Sequence, residues 1–185
     1  MESFSYQDLG RIVYAKALDI QTEKFNALLA AKAKGEKGRN ELLFCEHDPV
    51  LTIGKSGKDS NLLIPEARLQ ALGVSYYHIN RGGDITYHGP GQITGYPIFD
   101  LETWHIGLKQ YIYRLEETII RFLALYGLKG ERLEGATGVW LDPFVAGKAR
   151  KICAIGVKSS RFVTMHGFAL NINTCLLYTS DAADE

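Results

Sequence analysis

The chain has 185 residues, enough for one domain with a substantial core. Hydrophobic residues make up 46% and charged residues 23%, both ordinary for a globular protein. Twenty-one basic residues balance 21 acidic ones, so bulk charge gives no case for binding nucleic acid or an anionic membrane.

The start, "MESFSYQDLGRIVY", has no basic region followed by an apolar run, so no signal peptide is expected, and no apolar run approaches membrane-spanning length. Leu18, Phe25, Leu28 and Leu29 share one helical face, and that pattern stops in the polar segment 33–40. Residues 41–47, "ELLFCEH", read as a buried strand, and residues 48–57 as a turn, a short strand and a glycine loop. "PEARLQALG" reads as a short helix with Pro65 in its first turn and Gly73 at its end. "VSYYHIN" is rich in strand-forming residues. It leads into residues 81–100, "RGGDITYHGPGQITGYPIFD", which hold five glycines and two prolines and end in another expected strand, "QITGYPIFD".

Leu108, Tyr111, Ile112, Leu115, Ile119, Phe122 and Tyr126 trace one face of a long amphipathic helix. "TGVWLD" and "KICAIGVKS" are expected to pair as strands joined by "PFVAGKAR", and "MHGFALNIN" to form a further strand. Helices and strands mix without a regular βαβ rhythm. The expected fold class is α/β (α+β), a mixed β-sheet with antiparallel pairs and flanking helices.

The glycine-rich stretch has three chemical readings. A phosphate cradle is disfavoured, because Gly82-Gly83 and Gly89-Pro90-Gly91 fit neither "GxxxxGK[ST]" nor "GxGxxG". An acyl-binding loop needs exposed N–H groups beside an apolar slot. Ile85, Tyr87, Ile93 and Tyr96 are expected to line such a slot, with Arg81 and His88 at its rim. The third reading is a turn-rich connection, disfavoured because a special loop this long inside a domain is usually functional.

His47, His78 and His105 read as surface or structural histidines, whereas His166 opens a second glycine-containing segment. No histidine–carboxylate cluster has metal-ligand spacing. Three scattered cysteines give no disulfide framework, and reduced thiols in a cytoplasmic protein are expected. Cys45 and Cys153 read as packing residues, with Cys153 not facing Lys151.

In order and type, "RGGDITYHGPGQITGYPIFDL", "GVWLD", "KICAIGV" and "HGFALNIN" resemble the bacterial LipB-type octanoyltransferase family, from the N-terminal helix to about Thr174. The resemblance implies a fold like the catalytic domains of biotin and lipoate protein ligases. It implies transfer of octanoate from the thioester of acyl carrier protein to a lysine of a lipoyl domain, such as glycine-cleavage H protein or a 2-oxo acid dehydrogenase E2. It requires no cofactor, neither metal nor ATP. It implies a cysteine thioester intermediate, with the family's lysine matching Lys151. Its acyl pocket carries over to Arg81, Gly82, Gly83, Asp84, Ile85, Thr86, Tyr87 and His88, to Ala154, Ile155 and Gly156, and to Gly167, Phe168 and Ala169.

The family's "P-C-G" nucleophile motif is absent, and family spacing would put that cysteine near Glu185. Residues 175–185, "CLLYTSDAADE", resemble a translated sequencing adapter. The expected organisation is an incomplete catalytic domain over 1–174, a non-native tail over 175–185, and an inactive chain. Two other readings stand beside this one: an ATP-dependent ligase of the lipoate or biotin kind, and a non-catalytic acyl-binding protein.

Overall fold

Alternating side chains drive the central strands. Strand β2 (Glu41–His47) buries Leu43, Cys45 and His47 on one face, as its alternating sequence requires. The computed structural model describes residues 4–58, 60, 62 and 65–174. Its strands are β1 (Ser5–Ile12), β2, β3 (Val50–Ile53), β4 (Ser75–His78), β5 (Ile85–His88), β6 (Gln92–Ile98), β7 (Glu131–Leu133), β8 (Ala136–Leu141), β9 (Arg150–Ser160) and β10 (Val163–Asn171). Its α-helices are α1 (Tyr14–Ala33), α2 (Glu66–Ala71) and α3 (Leu108–Ala124). The expected tail over 175–185 lies outside the described residues.

Seven strands form the main sheet in the order β1-β2-β6-β10-β9-β8-β7, and three form a small sheet in the order β4-β3-β5. The main sheet is antiparallel apart from the β1–β2 pair, where α1 makes the crossover. The small sheet repeats this mixture: β3 is parallel to β4, across α2, and antiparallel to β5. The expected mixed sheet with flanking helices is the fold observed.

Helix α1 buries Ala17, Phe25 and Leu28 against Leu43, Tyr96, Ile98, Val163 and Met165. Helix α3 buries Ile119 and Leu123 against Val139, Ile152, Cys153, Phe168 and Leu170. Glu116 fixes α3 to β8, accepting from the Gly138 N–H (3.0 Å) and from Arg132 Nε (3.0 Å). Tyr126, assigned to the apolar face of this helix, lies beyond its end and is exposed.

Three strands emerge from segments not read as such, β1, β5 and the three-residue β7. β1 is an edge strand of mostly polar residues, broken by a register shift between Asp8 and Arg11. β5 lies within the glycine-rich stretch, which is therefore a strand between two turns and not one continuous loop.

Candidate active site

A cavity of about 480 Å³ lies between β5, β9 and the first turns of α3. Its walls include Arg81 to Tyr87 from the glycine-rich segment, Lys151 and Ala154 to Val157 from β9, and Leu108 and Ile112 from α3.

Arg81 organises this segment from below. It is only 6% exposed, and the two hydrogens of its Nη2 are shared among four oxygens, the Thr52 carbonyl (2.8 Å), Thr52 Oγ1 (2.9 Å), the Asp84 carbonyl (2.9 Å) and Thr86 Oγ1 (2.8 Å). Nη1 donates to the Gly82 carbonyl (2.9 Å). These five acceptors, distributed from β3 to β5, satisfy the fork that a guanidinium presents. Burial lowers the pKa of Arg81 from its usual value, and the surrounding oxygens offset the loss of water. The Gly82 N–H donates to the Val157 carbonyl (3.1 Å) and so ties the segment to β9.

Gly83 takes a left-handed φ of 87°, which a side chain adopts only with strain. On the facing strand, a Cβ at Gly156 would stand 2.8 Å from Arg81 Cδ and 2.9 Å from the Gly82 carbonyl oxygen. The two glycines therefore let two backbones and one arginine share the cavity floor.

His88 is 7% exposed and lies inside the fold, not at the rim. Its Nδ1 donates to Gln92 Oε1 (2.8 Å), which leaves Nε2 to accept from the Thr52 hydroxyl (3.4 Å). Gln92 Nε2 then donates to Asn171 Oδ1 (2.9 Å), and Asn171 Nδ2 to the Lys151 carbonyl (3.4 Å). A continuous polar chain thus runs from Arg81 on one wall to the backbone of Lys151 on the other. Burial, with His47 nearby, depresses the His88 pKa to about 3, so the ring is neutral.

Lys151 reaches the cavity because β9 carries a bulge. Val139 pairs with Cys153, but Trp140 pairs with Lys151, so Ile152 is an extra residue. Regular alternation would put Lys151 and Cys153, two residues apart, on the same face. The bulge separates them: Lys151 lines the cavity with its Nζ 4.5 Å from the Trp140 ring centroid, while Cys153 packs beneath α3. The two side chains do not face each other, and the irregular register is the reason.

Four of the carried-over residues lie elsewhere. His88, Gly167, Phe168 and Ala169 line a smaller void of about 30 Å³, whose walls share Arg81, Thr86, Ala154 and Gly156 with the main cavity. Of the expected slot residues, Ile85 and Tyr87 line the cavity. Tyr96 is buried and bonded to His47 Nε2 (2.6 Å), and Ile93 is 40% exposed beside an outer groove. Leu108 and Ile112 were legible only as helix-face residues, and Gln92 and Asn171 carried no signal as cavity residues.

Cys45 and Cys153 are buried thiols. Burial pushes the Cys45 pKa up to about 12 and raises that of Cys153 further. Neither is a thiolate at neutral pH. Among the described residues, no group of three His, Cys, Asp or Glu side chains could hold a metal ion. No helix among them is long and apolar enough to cross a membrane.

A mixed sheet flanked by helices, with its cavity between the small sheet and β9, has the lipoate protein ligase fold. A bi-partite lipoate protein ligase of Thermoplasma acidophilum superposes with a TM-score of 0.68 at 15% identity, covering 100% of this chain and 68% of that one. A lipoate-protein ligase A bound with ATP gives 0.67 at 14% identity, covering 97% and 70%.

Residues 14–184 match the lipoyl protein ligase A/B catalytic domain, and the chain belongs to that family. An octanoyltransferase of Parabacteroides distasonis is 79% identical over 180 residues, which is 97% of this chain and 81% of that protein. One of Porphyromonas gingivalis is 61% identical over 175 residues, covering 95% of this chain but only 36% of the longer relative. One of Bacteroides thetaiotaomicron is 54% identical over 173 residues, covering 94% and 76%.

Proposed function

We propose that this protein is an octanoyltransferase that, when it carries the family's P-C-G cysteine, transfers an octanoyl group from the thioester of acyl carrier protein to the side-chain amine of a lysine on a lipoyl domain. The observation that carries the reading is the bulge at Ile152, which brings Lys151 into the glycine-lined cavity. The octanoyltransferase relatives support the choice of acyl group.

In this reading the acyl chain lies between the segments Ile85 to Tyr87 and Ala154 to Gly156, and backbone N–H groups of the glycine-rich segment face its carbonyl. The thiolate of the P-C-G cysteine, which the resemblance implies and residues 1–185 do not contain, attacks the donor thioester, and the phosphopantetheine thiol leaves. The acceptor amine then attacks the enzyme thioester, expels the thiol and loses a proton to Lys151 in its neutral form. When charged, the same ammonium favours the thiolate. Cys45 and Cys153 are excluded as the nucleophile by their burial and raised pKa values. Glycine-cleavage H protein and 2-oxo acid dehydrogenase E2 domains are the acceptors. The chemistry needs no ATP, because the thioester is already activated.

The test is incubation of a version extended to carry the P-C-G cysteine with octanoyl-acyl carrier protein and a lipoyl domain, read by the intact mass of the acceptor. A gain of one octanoyl group, lost when the acceptor lysine is replaced, is the expected result. An unchanged acceptor mass contradicts the proposal.

A further inference from the structure

The small void beside the main cavity carries two polar atoms without partners. Thr94 Oγ1 and His166 Nδ1 are fully buried and make no hydrogen bond among the described residues. Thr94 is 1% and His166 4% exposed, and both line the void. Such atoms cost roughly 1–3 kcal/mol each when left unsatisfied, so buried polar pairs of this kind usually hold an occupant. About 30 Å³ is room for one water molecule, and a hydroxyl and a ring nitrogen are suitable partners for it. Burial near Arg81 and Lys158 keeps His166 neutral, so Nδ1 can serve as donor or acceptor.

Lys151 lines the main cavity but not the void, whereas Arg81, Thr86, Ala154 and Gly156 line both. With the reacting carbonyl near Lys151, an acyl chain that runs past Thr86, Ala154 and Gly156, which line both spaces, brings its methyl end to the void. We propose that Thr94 and His166 hold a water molecule that caps the acyl cavity and limits the length of chain it accepts. This rests on the octanoyl-transfer reading. A longer chain would have to expel the water and leave both polar atoms bare, which offsets the gain from burying another methylene. Thr94 is thus a specificity-determining residue, and its hydroxyl is the part that acts.

The experiment is calorimetric binding of S-octanoyl- and S-nonanoyl-pantetheine to the whole chain and to Thr94→Val and Thr94→Ser, each checked for a parental melting transition. The parent should bind the nonanoyl compound no more tightly than the octanoyl one. Thr94→Val, which keeps the shape and removes the hydroxyl, should shift the nonanoyl-to-octanoyl affinity ratio by about fourfold, the usual gain for one buried methylene. Thr94→Ser should keep the parental ratio. A parental ratio in Thr94→Val, or a fourfold nonanoyl preference already in the parent, overturns the water cap while leaving octanoyl binding intact. Failure of the parent to bind either compound instead overturns the acyl-cavity reading beneath it.

Discussion

Gln92 Nε2 donates to Asn171 Oδ1 over 2.9 Å, which joins the polar chain that starts at Arg81 to β10, and Asn171 Nδ2 carries it on to the Lys151 carbonyl in β9. Gln92 opens β6 and Asn171 closes β10, so their pairing in the sheet register sets the distance between the two cavity walls. Replacing Gln92 with Leu leaves His88 Nδ1 and Asn171 Oδ1 buried without this partner. The expected cost is about 2 kcal/mol of stability, together with a weaker hold on Lys151. Urea denaturation measures the first effect, and octanoyl transfer by a version extended to carry the P-C-G cysteine measures the second. Unchanged values for both would mean that the chain of bonds is incidental.

Arg81→Lys keeps the charge but loses the fork. A single ammonium cannot serve acceptors on Thr52, Gly82, Asp84 and Thr86 together. The variant should lose about 2–3 kcal/mol, seen as a lower denaturation midpoint at constant slope. A midpoint equal to that of the parent would show that the segment holds its shape without the arginine.

Lys151→Ala should separate activity from folding. The side chain lies in the cavity over Trp140, so its removal should cost about 1 kcal/mol or less. In a version extended to carry the P-C-G cysteine, octanoyl transfer should fall by about 10²- to 10⁴-fold, the usual worth of a general base. Transfer at the parental rate by a folded Lys151→Ala protein would remove the lysine from the mechanism.

Gly83→Val imposes a β-branched side chain on a φ of 87° and narrows the cavity. It should lose octanoyl-pantetheine binding even where the protein remains folded, with a stability loss of about 1–3 kcal/mol from strain. Parental affinity per folded molecule would place the acyl chain elsewhere.

Acid should destabilise the fold through its interior histidines. In the folded chain the His88 pKa is about 3 and that of His166 about 4, against an ordinary 6.5. The unfolded chain therefore binds protons below pH 6.5 that the folded chain refuses. Their contribution is fully present above pH 6.5 and is lost as pH falls toward 4 and then 3. Each histidine adds a slope of about 1.4 kcal/mol per pH unit in that window. Denaturation midpoints measured from pH 7 to pH 4 test this, and a flat profile would contradict the buried neutral rings.

The strands with strong apolar content were legible in the sequence. β2, β6, β9 and β10 lie where "ELLFCEH", "QITGYPI", "KICAIGV" and "MHGFALN" place them. The stretch from Arg81 to Tyr87 lines a cavity as its glycines imply. β1 escaped notice because "SYQDLGRI" is an edge strand without hydrophobic alternation. The inward turn of Arg81 was hidden because its acceptors are mostly backbone carbonyls, which leave no trace in residue identity. The face of Lys151 depended on the bulge at Ile152, a register event that no local pattern announces. The interior setting of His88 likewise depends on Thr52 and Gln92, one of them 36 residues away in the chain.

The most direct test of octanoyl transfer uses a version extended to carry the P-C-G cysteine and compares two donors with the same lipoyl-domain acceptor. One reaction holds octanoyl-acyl carrier protein without ATP or Mg²⁺, and the other holds free octanoate with both. The account predicts an octanoyl amide on the acceptor lysine in the first reaction and none in the second. Product formed only from octanoate with ATP would contradict it and make the protein a ligase.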